Sequence, residues 1–331
     1  MKYVLTLGMV GAFLLGLAAA SQAEVYTADE ASQSLTVLGM PVGQSPGQRI
    51  ELPIVPHNVQ YVAATHLLLV TGMMPQAGHH HTEVAPGALL AFDVRNLKAG
   101  PLWQMSVGQH PAHVVADPEG LFAYVTLTNE DRVAVIDLLQ HKEVASIPTG
   151  EGPHGLRLTA DGHFALVANM KAGSVSWLDL VRRQSVAQIS TGGVPIQTAV
   201  SPDGKSGYVT LADSNQLAVL DMEKQAVERT LPLTYSPAQV YLSGSFVLVA
   251  QQGSRTMPGH LLSVFQSRNW NKQTDIKVGQ GPHGVAADAD GHYAYVTNVY
   301  DNSVSVIDLQ MNNVSATVAV GSQPNGISIS P

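Results

Sequence analysis

Gly281-Pro282-His283-Gly284-Val285-Ala286-Ala287-Asp288-Ala289-Asp290-Gly291-His292-Tyr293-Ala294-Tyr295-Val296-Thr297-Asn298 opens a unit that closes at Gly321. Its punctuation decides the fold. Gly284 to Ala289 reads as a first strand, and Asp290-Gly291 supplies the positive φ that a tight hairpin turn needs. Tyr293 to Asn298 reads as a second strand, followed by the polar turn Asp301-Asn302-Ser303. Val304, Val306 and Ile307 mark a third strand with Asp308 near its end, and Val314 to Val320 alternates as a fourth.

The same unit recurs upstream. Pro111, Pro153, Pro195 and Pro237 follow one another at steps of 42 residues, Pro282 comes 45 later and Pro324 another 42 later. Asp137, Asp179 and Asp221 keep the 42-residue step, and Asp308 lies 87 further on. Tyr124-Val125-Thr126, Leu166-Val167-Ala168, Tyr208-Val209-Thr210 and Tyr295-Val296-Thr297 share one register. Four antiparallel strands per ~40–45 residues, repeated, is the signature of a β-propeller blade. Units beginning near Pro56, Pro111, Pro153, Pro195, Pro237 and Pro282 give six blades. The last stretch, Pro324 to Ile329, is a first strand only, and Val25 to Val42 supplies outer strands for it. Sharing one blade between the two ends closes the ring and removes exposed sheet edges. The expected fold is all-β, a propeller of seven four-stranded blades.

Composition narrows the chemistry. The chain has 331 residues, 45% hydrophobic and only 13% charged, too apolar for a disordered protein. It has no Cys, which excludes disulfides, thiolate metal sites, iron–sulfur clusters and a cysteine nucleophile. A net charge of −8 lacks the basic footprint that nucleic acid or anionic lipid requires, so no nucleic-acid partner is expected. Thirteen His against 17 Lys+Arg is the unusual figure. Lys2, the apolar run Val4 to Ala20 and the small residues of Ser21-Gln22-Ala23 read as a signal peptide over residues 1–23. Residues 24–331 are then expected to form one domain, exported to the periplasm as a monomer, with no membrane span after cleavage and, lacking Cys at the cleavage point, no lipid anchor.

The units resemble the YVTN-type β-propeller repeat: Tyr295-Val296-Thr297-Asn298 matches that motif letter for letter, with Gly281-Pro282-His283-Gly284 and Val304-Ser305-Val306-Ile307-Asp308-Leu309 as companion elements. The resemblance spans the whole of residues 24–331. It implies the propeller fold and a distant likeness to the propellers of cytochrome d1 and nitrous oxide reductase. Such proteins range from metal or haem holders to scaffolds, so fold alone does not assign function.

In a four-stranded meander the 2–3 turns and the links between blades share one face. The Pro-His turns lie there, where each first strand meets the central channel. His57, His154 and His283 occupy equivalent places, with Ala112, Ile196, Ala238 and Asn325 in the other blades; His110 and His113 flank Ala112, and Gln197 and Gln239 add polar lining. The ordinary alternative is that such a His only caps a turn. The step from Pro56 to Pro111 is 55, 13 longer than the period, and the 2–3 turn of the second blade carries Met73, Met74, His79, His80, His81 and Glu83. A smaller enlargement, Gln251 to His260, occupies the same turn of the sixth blade. Long loops on a rigid scaffold are where function concentrates.

Imidazole plus thioether without thiolate suits copper first and zinc second. The candidate ligands are His57, His79, His80, His81, His154, His260 and His283. No haem, nucleotide or iron–sulfur cluster is expected, since Arg132, Arg157, Lys171 and Arg255 are few cations for a haem d1. Two other functions compete with metal binding: a non-catalytic scaffold for a periplasmic protein, and a lactonase-like hydrolase. No Gly-x-Ser-x-Gly elbow favours the hydrolase. The recurrent Asp137, Asp179, Asp221 and Asp308 read as turn-stabilising acceptors rather than catalysts.

Overall fold

A computed structural model describes residues 23–42, 47–75 and 85–331. It is built from strands in seven four-stranded antiparallel sheets, with one short 3-10 helix among the described residues. The blade quoted above runs Pro282–Ala287, Tyr293–Asn298, Ser303–Asp308 and Asn313–Ala319, within two residues of the sequence reading. Gly291 has φ 68°, the left-handed conformation that its hairpin turn demands.

The first strands of successive blades touch one another all the way round, including Pro324–Ile329 against Val55–Val62. They form the inner wall of the propeller. Closure is by the shared blade: Pro324–Ile329 pairs with Glu24–Asp29, which pairs with Ser34–Gly39. Its outermost strand, Gln48–Glu51, lies beyond the stretch Val25 to Val42 read as supplying the outer strands. Gln48-Arg49-Ile50-Glu51 is mostly exposed, so it carries none of the apolar alternation that marks the other strands.

Apolar side chains of the other strands meet those of the next blade, giving seven buried clusters, one at each blade-to-blade interface. The Tyr-Val-Thr motif divides its work accordingly. Val296 joins the cluster shared with the sixth blade, while Tyr295 joins the one shared with the first. Fully burying a side chain of this size is worth about 1.5–3 kcal/mol, so the ring closes by burial without any disulfide.

The recurrent aspartates act as expected. Asp308 Oδ1 accepts from the N–H groups of Gln310 and Met311, and Asp137 from those of Leu139 and Gln140, fixing the 3–4 turns. The extra length of the second blade is divided: part lies in its 2–3 connection, and part forms the 3-10 helix Val94–Ala99 before its fourth strand. In the sixth blade the enlargement is a longer hairpin, Phe246–Gly253 against Pro258–Gln266, turning through Ser254 to Met257.

Candidate metal centre

Each histidine of interest sits where an inner strand begins, and those beginnings are bulged. In the fourth blade Pro153 pairs with Asn169, but Leu156 pairs with Val167, so the inner strand gains a residue. The same slip separates Pro111 from Val114, Pro195 from Thr198 and Pro282 from Val285. A bulge breaks the alternation of side chains and re-aims them. Here it lets the residue after the proline (His57, His154) and the residue one further on (His113) converge.

The repeat's threonine satisfies the backbone that the bulge frees. Thr126 Oγ1 accepts from the His113 N–H at 3.0 Å and donates to the His154 carbonyl at 2.6 Å. Thr210 does likewise for the Gln197 N–H at 3.1 Å and the Ala238 carbonyl at 2.7 Å. Thr297 repeats it with the Gly284 N–H at 2.8 Å and the Asn325 carbonyl at 3.3 Å. One hydroxyl thus holds a blade's own bulge and ties it to the next blade.

His57, His113 and His154 each present a ring nitrogen, and the three nitrogens lie within 4.8 Å of one another. The Nε2 atoms of His57 and His154 are 3.4 Å apart, with their rings edge to face. Metal–imidazole bonds of about 2.0–2.1 Å in a tetrahedral site place neighbouring nitrogens roughly 3.3 Å apart. A ring N–H donating to a partner prefers about 2.9–3.0 Å. The observed separation therefore suits two ligands of one ion better than a direct hydrogen bond.

The outer nitrogens are held by the protein. His154 Nδ1 donates to the Ile196 carbonyl at 3.1 Å, and His283 Nδ1 to the Asn325 carbonyl at 3.2 Å, the same contact in another blade. Both leave Nε2 with a free lone pair. His57 Nδ1 lies 3.2 Å from Asn325 Nδ2 and 3.9 Å from a Glu30 carboxylate oxygen, and Asn325 Nδ2 donates to that carboxylate at 2.8 Å. At 3.9 Å the carboxylate is beyond hydrogen-bond reach of the ring and acts on it only through the Asn325 amide. His113 Nδ1 lies 3.4 Å from Gln197 Nε2, which reaches it from two blades away. The intervening blade has Gly155 at that place, where a Cβ would overlap Gln197 Oε1.

Burial keeps these rings uncharged. Desolvation, reinforced by neighbouring imidazoles, holds His57 and His113 well below the ordinary histidine range. His154 and His283 are pushed down to about 4, again chiefly by burial. His110, whose ring centroid is 6.5 Å from that of His57, is also lowered by burial. Neutral imidazole is the form that binds metal.

Of the sequence candidates, the structure brings His57 and His154 together and sets His283 on the same inner wall, close enough for its charge to act on His57 and His113. His260 stands on a third strand, away from the inner wall, with its ring 5.2 Å from that of Tyr235. His79, His80, His81 and Glu83 lie outside the described residues. The connection that carries them starts beside the site, since Gly72 pairs with Pro56 and Met73 with Val55. His113 was read only as a flank of Ala112. The repeat register does show it one place after the aligned position, but the bulge that makes that place equivalent is a tertiary feature.

Comparison with known proteins agrees with this architecture. The family model for YNCE-like beta-propellers matches residues 86–245 and again 206–331. The chain is similar to a hydrazine synthase structure from Kuenenia stuttgartiensis, at TM-score 0.69 and 19% identity over 87% of this chain and 92% of that one. A functionally unknown protein from Desulfotomaculum acetoxidans DSM 771 aligns at TM-score 0.76 and 14% identity, covering 92% and 98%. The dihydro-heme d1 dehydrogenase NirN aligns at TM-score 0.65 and 14% identity, covering 92% of this chain and 65% of that one. These identities carry the fold alone. Among curated sequences, the PE-PGRS family protein PE_PGRS18 of Mycobacterium tuberculosis is 46% identical over 50 residues, 15% of this chain and 11% of that protein's length. The seven repeated blades and a family model that takes in well over half of the residues lead to one assignment: the chain belongs to the YNCE-like β-propeller family.

Proposed function

We propose that this protein is a periplasmic propeller that binds a transition-metal ion at one end of its central channel through His57, His113 and His154. One observation carries the reading: three imidazoles, His113 buried and His57 and His154 half-buried, held neutral with ring nitrogens within 4.8 Å of one another. Three imidazoles leave one tetrahedral position open, the arrangement of sites that bind an exchangeable ligand or substrate. His283 and the His79-His80-His81 segment are the candidates to complete the shell. Copper is favoured over zinc by the general affinity order for nitrogen ligands. Two of the thioethers do not add to that preference: Met74 Sδ accepts from Gln104 Nε2, and Met257 is exposed on the sixth-blade hairpin.

The test is metal analysis of untagged protein, followed by titration with Cu(II) and Zn(II). Stoichiometric binding that weakens at least ~100-fold in His113→Ala but is unchanged in His163→Ala supports the site. His163 is an exposed residue paired with Asp161 on the opposite face. A second variant, His79/His80/His81→Ala, separates the buried triad from adventitious capture by the histidine run. Binding lost only in that variant overturns the triad reading and leaves the scaffold function in front.

A further inference from the structure

Arg157 is an unexplained charge in the wall of the channel. It belongs to the innermost strand Pro153–Leu158, three residues beyond His154. The one hydrogen bond of its side chain among the described residues runs from Nη1 to the carbonyl of its neighbour Leu156, at 2.9 Å. No described carboxylate lies within ion-pair distance of it, although the other buried or half-buried arginine, Arg132, is clamped between Glu130 and Glu143. The ionisable group that reaches it is the Tyr241 phenol, two blades away on the inner strand Val240–Ser243, and a phenol supplies no counter-charge at neutral pH. Burial lowers the guanidinium pKa, and its charge in turn depresses that of His113. A desolvated guanidinium without a counter-charge is costly, and a protein keeps one where an anion completes it.

A second observation lies on the same wall. Gln239, almost fully buried two residues before Tyr241, has an Nε2 donor with no partner in the protein. The inner wall thus offers a positive charge at Arg157 and a free donor at Gln239, with the Glu30 carboxylate lying behind His57, where Asn325 engages it. A divalent ion on three neutral imidazoles would add to that positive charge.

We propose that the channel beside the triad is a binding site for a small planar oxyanion of the carboxylate type, held by Arg157 next to the metal. The guanidinium fork matches two oxygens of such an anion, and the open metal position takes a further oxygen or water. The proposal rests on the metal reading for its second contact but not for Arg157 itself.

Formate, acetate and chloride are titrated calorimetrically into untagged protein, with and without one equivalent of Zn(II). Formate and acetate are expected to bind at least ~10-fold tighter than chloride, and more tightly with Zn(II) present. Arg157→Met, which keeps the apolar stem, is expected to weaken formate at least ~10-fold while leaving Zn(II) stoichiometry unchanged. Arg157→Lys, which keeps the charge without the fork, is expected to fall between. Stoichiometric Zn(II) with no formate binding, or formate affinity unchanged in Arg157→Met, overturns the anion site and leaves the metal site standing. Equal affinity for chloride and formate overturns the planar class. Formate binding lost in Arg157→Met when Zn(II) does not bind supports the anion site and counts against the metal alone.

Discussion

The Thr126 hydroxyl donates to the carbonyl of His154 at 2.6 Å, and so joins the third blade to a histidine of the fourth. Because the same oxygen accepts from the His113 N–H, one side chain sets the backbone of two of the three clustered residues. Replacing it with the near-isosteric valine leaves a buried N–H and a buried carbonyl unpaired. Thr126→Val is expected to cost about 1–3 kcal/mol of stability. Urea denaturation measures the cost, and Cu(II) titration of the folded variant should show weaker binding. Unchanged stability together with unchanged affinity would contradict the bridging role.

Gly155 makes room for Gln197 to reach His113. A Cβ there would overlap Gln197 Oε1 and press on the Ile196 carbonyl, whose acceptor role for His154 depends on its position. Gly155→Ala is expected to destabilise by about 1–3 kcal/mol, as overpacking of a buried contact does. Gly192, a glycine with open space around its Cβ position but φ 72°, offers a comparison in which only backbone strain operates. Thermal melts of the two variants, with and without Zn(II), separate the effects: only Gly155→Ala should lose part of the metal-induced increase in Tm.

The buried rings make the protein sensitive to acid. In the unfolded chain a histidine protonates near 6.5, whereas His154 and His283 resist until about 4 and His57 and His113 are lowered in the same sense. Between those values the unfolded state binds more protons, so stability falls as pH drops from about 6.5 to about 4. Asp29 works the other way: burial raises it from 3.8 to about 6, so its folded form gains a proton first and is favoured as pH falls through that range. Burial raises Asp117 in the same sense and lowers His110 with the other rings, and five rings outweigh two carboxyls. Tm measured from pH 7 to 4.5 should decline, and the decline should be shallower in His154→Gln; a flat profile in the wild type would show that these rings are not held neutral.

Asp308 serves a turn on the face opposite the site. Its Oδ1 accepts two backbone N–H groups, and the residue is only half-buried. Asp308→Ala is expected to cost about 1 kcal/mol with no change in metal affinity. Any loss of metal binding in this variant would mean that damage to one blade spreads round the ring, and that losses seen on substituting the triad cannot be read locally.

The repeat was legible because burial imposes it. Val296 and Tyr295 must face two neighbouring blades, so valine and tyrosine recur at fixed spacing. The outer strand Gln48–Glu51 has one side in water and left no such trace. His57, His154 and His283 were found for the same periodic reason: each follows the proline that opens an inner strand. The repeat register places Asn325 on the same inner wall, but its partnership with Glu30 joins the two ends of the chain, and nothing local marks it.

What the amino-acid order determined by itself, then, is the blade, the number of blades and the face on which the imidazoles collect. Strand alternation and turn chemistry act over a few residues, and a 42-residue period repeats them. Which imidazoles share a point was decided only by the closed ring. His57 and His154 are 97 positions apart and belong to blades that are not neighbours, yet their Nε2 atoms stand 3.4 Å apart. Curvature of the ring brings alternate blades together at the axis, and the bulge turns His113 in between them. Those are properties of blades packed on one another, and no single repeat contains them.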